Sequence, residues 1–175
     1  MLKPNIPEES RDVCTESVFN ELFVKYSKDL HNFLYYKFGE ALNPRDVVQE
    51  AFIKLWNNCA TVNFEKAKSF LFTVANNHTL NEISKNKTAA NFREIKPKNY
   101  TIETPEFILE EDEYKQRLQN AINALSEDLR VTFLLNRVDG KKHQEIADML
   151  GISRKAVEKR IYKALALVRE KVDGL

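Results

Sequence analysis

Apolar residues recur at three- and four-residue steps along most of the chain. From Glu16 onward, Val18, Phe19, Leu22, Phe23, Tyr26, Leu30, Phe33 and Leu34 predict one long amphipathic helix, which Gly39 ends. Asn43 and Pro44 then supply a cap and first turn for a second helix that runs through Asp46 to about Trp56. Its apolar side holds Val47, Val48, Ala51, Phe52, Leu55 and Trp56. A third helix, from about Glu65 to Lys85, carries Phe70, Leu71, Val74, Leu80 and Ile83. Three such helices close one core.

Periodicity fades between Asn86 and Thr104 and returns afterwards. Thr104 and Pro105 open a helix carrying Leu118, Ile122 and Leu125; a cap at Ser126 begins another with Leu129, Phe133 and Leu134. Asp139 and Gly140 turn the chain into Ile146, Ala147, Leu150, Ile152, Val157 and Ile161, the spacing of two short helices crossing over a shared core. Gly151 and the cap Ser153 make the turn between them. Strand patterns and internal repeats are missing. The expected fold is all-α: a tail over 1–15, a three-helix domain over 16–88, a flexible linker over 89–104, and a second domain with a helix-turn-helix over 105–175.

Charge changes this picture by its placement. The 175 residues carry a net charge of only +1, but the helix after Gly151 holds Arg154, Lys155, Lys159, Arg160 and Lys163 against Glu158 alone. With about 100° between successive helical residues, inward Val157 and Ile161 put Lys155, Lys159, Tyr162 and Lys163 on the opposite side, with Glu158 at its edge. That basic face suits a DNA major groove, while Arg154 and Arg160, flanking the apolar stripe, suit phosphates. The bland reading is a solvated helix face. Farther upstream, a basic run (Lys85, Lys87, Arg93, Lys96, Lys98) gives way to an acidic one (Glu103, Glu106, Glu110, Glu111, Asp112, Glu113), whose acids also favour a helix N-terminus.

A chain so nearly neutral binds DNA weakly alone, because affinity comes from counterions released at a basic surface; it points to a partner. Cys14 and Cys59 are far apart without a metal-ligand pattern, and are expected as buried or idle thiols. His31, His78 and His143 stand without catalytic companions. Neither metal nor cofactor is expected, nor an enzyme. No apolar stretch is long enough to span a membrane and no signal peptide is visible, so direct membrane insertion is not expected and the expected location is the cytoplasm.

The run Asp46-Val47-Val48-Gln49-Glu50-Ala51-Phe52-Ile53-Lys54-Leu55-Trp56, together with Glu145-Ile146-Ala147-Asp148-Met149-Leu150-Gly151-Ile152-Ser153 and its basic helix, resembles the sigma-70 family. The similarity is to the small extracytoplasmic-function (ECF) group, which keeps only sigma domains 2 and 4, and it extends from about Val18 to Val172. It implies an alternative sigma factor that binds core RNA polymerase and directs promoter-specific initiation. In relatives, the residues matching Asp46, Gln49, Glu50, Ile53 and Lys54 dock on the clamp helices of the polymerase. Phe70, Phe72, Asn76, Asn77, Asn81 and Lys85 fall in the segment that recognises and melts −10 DNA. Asn77 matches the asparagine that captures a flipped base, and Phe70 stands where many relatives carry Trp. Ser153, Arg154, Lys155, Glu158, Lys159, Arg160, Tyr162 and Lys163 would meet the −35 element. The resemblance also implies an anti-sigma factor. The alternative left open by the residues is a stand-alone helix-turn-helix regulator that dimerises on a palindrome.

Overall fold

A computed structural model describes residues 11–89 and 111–173. Those residues form α1 (Glu16–Phe38), a short 3-10 turn (Glu40–Leu42), α2 (Pro44–Asn57), α3 (Phe64–Ala89), α4 (Glu111–Asn123), α5 (Glu127–Arg137), α6 (His143–Leu150) and α7 (Arg154–Asp173), with no strand among them. The helix opening expected at Thr104 and Pro105, and most of the expected linker, lie outside the described residues. Contacts divide the chain into two compact units: 11–34 with 42–89, and 35–41 with 111–173.

In the first unit, α2 packs on α3, and aromatic rings lock α1 to both. Phe19 meets Trp56 edge-on at 5.0 Å and Phe23 meets Phe52 at 4.9 Å, so α1 and α2 run in opposite directions. Leu22, Leu30, Leu55 and Leu71 are wholly buried. Burying one such side chain contributes about 1.5–3 kcal/mol, which is why this stripe fixes the bundle. Asn43 accepts a left-handed φ of 46° ahead of Pro44, and its side-chain amide donates to the Asp46 carboxylate.

Three expectations fail here. Residues 11–15 are not a loose tail: Val13 is buried, and Arg11 pairs with Glu21 at 2.8 Å and lies over the Phe64 ring. Cys14 and Cys59 are not thiols but a disulfide with Cα atoms 5.0 Å apart. Cys14 precedes α1 and Cys59 follows α2, so the antiparallel pairing of those helices brings together two residues separated by 45 positions. Leu80, expected in the core, is 46% exposed. Over positions 64–85 of α3 the last buried residue is Thr79, whose hydroxyl donates to the Ala75 carbonyl, and the helix continues beyond it.

In the second unit, α7 packs against α4, α5 and α6. Ile146, Val157 and Ala164 are fully enclosed, with Leu134 and Leu135 beside them on α5. The charged Arg130 is also buried; its Nε donates to the Tyr36 carbonyl at 3.2 Å, within the same unit. Tyr36 donates its hydroxyl to Asp139 at 2.9 Å, and burial together with that carboxylate pushes the phenol well above its usual titration range.

Candidate functional site

The turn between α6 and α7 is made by Gly151, whose φ of +65° would strain any side chain that replaced its hydrogen. The Ile152 amide donates to the Ala147 carbonyl, closing α6, and Ser153 then caps α7 by accepting the Ala156 amide on Oγ at 3.2 Å. α7 buries Val157, Ile161, Ala164 and Val168 on one side. On the other, Lys155, Glu158, Lys159, Tyr162 and Lys163 are all exposed, Tyr162 by 64%.

Arg154 and Lys155 fill the first turn, which contains no acid. Cations there oppose the helix dipole, at a cost of about 0.3–1 kcal/mol each, so they do not serve the helix. They make its N-terminal end strongly attractive to phosphate. Arg160 differs. Its Nη2 lies 2.8 Å from Asp128 Oδ2 on α5, and it is only partly exposed. The structure gives this arginine an ion-pair partner at the flank of the basic face.

On α2, Asp46, Gln49 and Glu50 are exposed, and Ile53 is 52% open among them. Trp56, expected on the packed side, remains 44% exposed at the end of the same helix. An apolar side chain among mixed charges is typical of a protein-contact surface rather than a DNA surface, where two carboxylates would repel phosphates.

The segment of α3 expected to handle −10 DNA separates into two sets. Phe72 is 3% exposed and packs on Phe33 at 5.3 Å between ring centres, so it belongs to the core and cannot stack on a base while the bundle is closed. Phe70 is half-buried, and so is Asn76, whose amide lies 3.4 Å from Asn77 Oδ1. Asn77, Asn81 and Lys85 are exposed and line one cavity of about 410 Å³. His78 and Glu82 line it too, as does Lys54 from α2. The sequence reading missed His78 and Glu82, although the steps 74, 77, 78, 81, 82, 85 trace a single helical stripe. Among the described residues, no group of three His, Cys, Asp or Glu side chains is placed to hold a metal ion. No helix there is long and apolar enough to cross a membrane.

Comparison with known proteins identifies both units. Residues 22–89 match the model of sigma-70 region 2 and residues 115–168 that of sigma-70 region 4, together well over half of the chain. The ECF RNA polymerase sigma-E factor of Escherichia coli strain K12 is 27% identical over 91% of this chain and 89% of its own length. Its counterpart in Salmonella typhimurium strain LT2 is 26% identical over the same shares. The RNA polymerase sigma-H factor of Pseudomonas aeruginosa is 29% identical over 89% of this chain and 84% of its own. An all-helical chain with both matched regions in order, and a capped helix bearing a basic face in the second, belongs to the sigma-70 family in its ECF group, as a specificity factor for transcription initiation and not an enzyme.

Proposed function

We propose that the protein joins core RNA polymerase through the exposed face of α2, reads the −35 element as duplex through α7, and holds the opened −10 strand along α3. The observation that carries this reading is the α7 face: Arg154, Lys155, Lys159 and Lys163 stand exposed opposite the buried stripe, starting at a helix end that draws anions. On it, lysine donates to guanine, Glu158 accepts from the cytosine amino group and Tyr162 meets a thymine methyl. Asp46, Gln49, Glu50 and Ile53 form the polymerase surface. Asn77 and Asn81 offer amides that both donate and accept, which suits the edge of an unpaired base.

Each unit alone grips DNA weakly. Tethering both to one polymerase raises the effective concentration of the second contact once the first has formed, which reconciles a net charge of +1 with promoter affinity. The protein works in the cytoplasm, and the surfaces that meet polymerase are those an anti-sigma factor would cover. A stand-alone regulator requires a two-fold footprint without polymerase and leaves the region 2 match unused. Transcription in vitro with matched core enzyme across a promoter library tests the reading. Start-site selection should appear only when the protein is added; Lys159→Ala should relax −35 choice and Asn77→Ala should slow opening. Absence of selection overturns the proposal.

A further inference from the structure

Lys54 lies at one edge of the exposed α2 surface, about 40° beyond Glu50. At about 100° per residue, Asp46, Gln49, Glu50 and Ile53 gather within one sector of the helix. Lys54 lies about 80° round from Asp46, on the same side as Val47, which is buried. Its ammonium group is therefore carried toward α3, and the side chain lines the 410 Å³ cavity with Asn77, His78, Asn81, Glu82 and Lys85. The cavity is a groove along a stripe of α3, with Lys54 as the α2 side chain that lines it. Its charged lining is Lys54 and Lys85 against Glu82. Amides between two amines match a nucleotide strand, with phosphates held by the cations and base edges met by Asn77 and Asn81. Glu82 can only accept, so it favours bases that present an exocyclic amine and repels phosphate.

We infer that Lys54 is a phosphate ligand of the opened −10 strand in this groove and not a contact to the polymerase. The inference rests on the proposed role of α3 in holding that strand. It reassigns a residue at the border of the α2 surface, because the step of about 100° from Ile53 to Lys54 turns the side chain toward α3. The lysine stem spans the edge of the α2 core and places its charge where the strand passes.

The test uses reconstituted holoenzyme carrying the wild-type protein, Lys54→Gln, Asn77→Ala or Ile53→Ala. Two quantities are measured: affinity for core enzyme, and affinity of the saturated holoenzyme for a single-stranded −10 oligonucleotide across a salt series. Lys54→Gln should keep core affinity within about twofold and lose about three- to tenfold for the oligonucleotide at low salt, with the log–log salt slope falling by about 0.7, the value of one phosphate on a single strand. Asn77→Ala should weaken the oligonucleotide with its slope intact, and Ile53→Ala should weaken core binding. An unchanged slope for Lys54→Gln, or a loss of core affinity as large as that of Ile53→Ala, overturns the inference. If Asn77→Ala weakens the oligonucleotide while Lys54→Gln does not, only Lys54 is misassigned. If neither variant affects the oligonucleotide, the reading of α3 fails with it.

Discussion

In the proposed reading the second unit meets DNA with one helix, whereas the first uses two. On α7 the buried and exposed sides follow from a single 3.6-residue period, and the basic side is complete within twelve residues after Gly151. In the first unit the groove draws Lys54 from α2 and Asn77 to Lys85 from α3, and neither helix contains it alone. Duplex DNA is a regular rod with charge on its outside, so one helix with the right charge is enough to meet it. A displaced strand has no such regular shape, and holding it takes a concave surface, which packing must build. The stabilising features differ as well: a disulfide and edge-on rings in the first unit, and in the second a buried aliphatic core with a buried arginine that donates to backbone carbonyls.

The contrast can be broken most forcefully at the helix-turn-helix. Ile146→Ala empties a site that is 0% exposed, and should destabilise the second unit by about 2–5 kcal/mol. Urea unfolding would register that loss, and −35 selection should vanish while binding of the −10 oligonucleotide by the surviving unit persists.

Opening the Cys14–Cys59 bond is next in size. A cross-link over 45 residues should be worth about 2–4 kcal/mol. Unfolding with and without dithiothreitol measures it, and Cys14→Ser should reproduce the reduced value and be insensitive to reductant. The second unit should melt unchanged. Reductant opens such a bond, so the difference reports what oxidation adds to the first unit.

Lys159→Ala should cost roughly 1–3 kcal/mol against the preferred −35 base pair and much less against other sequences, as expected of a side chain that reads a base edge. Competition binding by holoenzyme on promoters altered one position at a time would show it. A uniform loss across all sequences would instead make Lys159 a phosphate contact.

The smallest effect is assigned to Arg160. Its partly exposed pair with Asp128 should contribute about 0.2–1 kcal/mol. Arg160→Ala and Asp128→Asn should therefore lower the melting temperature by similar small amounts and leave the salt dependence of −35 binding unaltered. A reduced salt slope in Arg160→Ala alone would return this arginine to the DNA surface.

The sequence by itself determined the helices of the described residues closely and the basic face of α7 almost completely, because both depend on one local period and on charge that is read directly. Gly151 and Ser153 marked the turn for the same reason: a positive φ and a first-turn cap are demands of the local backbone. What only the tertiary structure decided lies where two distant segments meet. The bond between Cys14 and Cys59 needed the antiparallel pairing of α1 and α2, although cysteines just before one helix and just after the next were a signal that the two ends were neighbours. Phe72 became core because it meets Phe33 of α1, and Leu80 became surface because α3 outruns the bundle it packs on; a helical period cannot say where its neighbour stops. Arg160 found an ion-pair partner in Asp128 on α5, and Lys54 came to line the groove beside α3. A helix sets the direction in which each side chain leaves the axis, and the element packed beside it sets what that side chain meets.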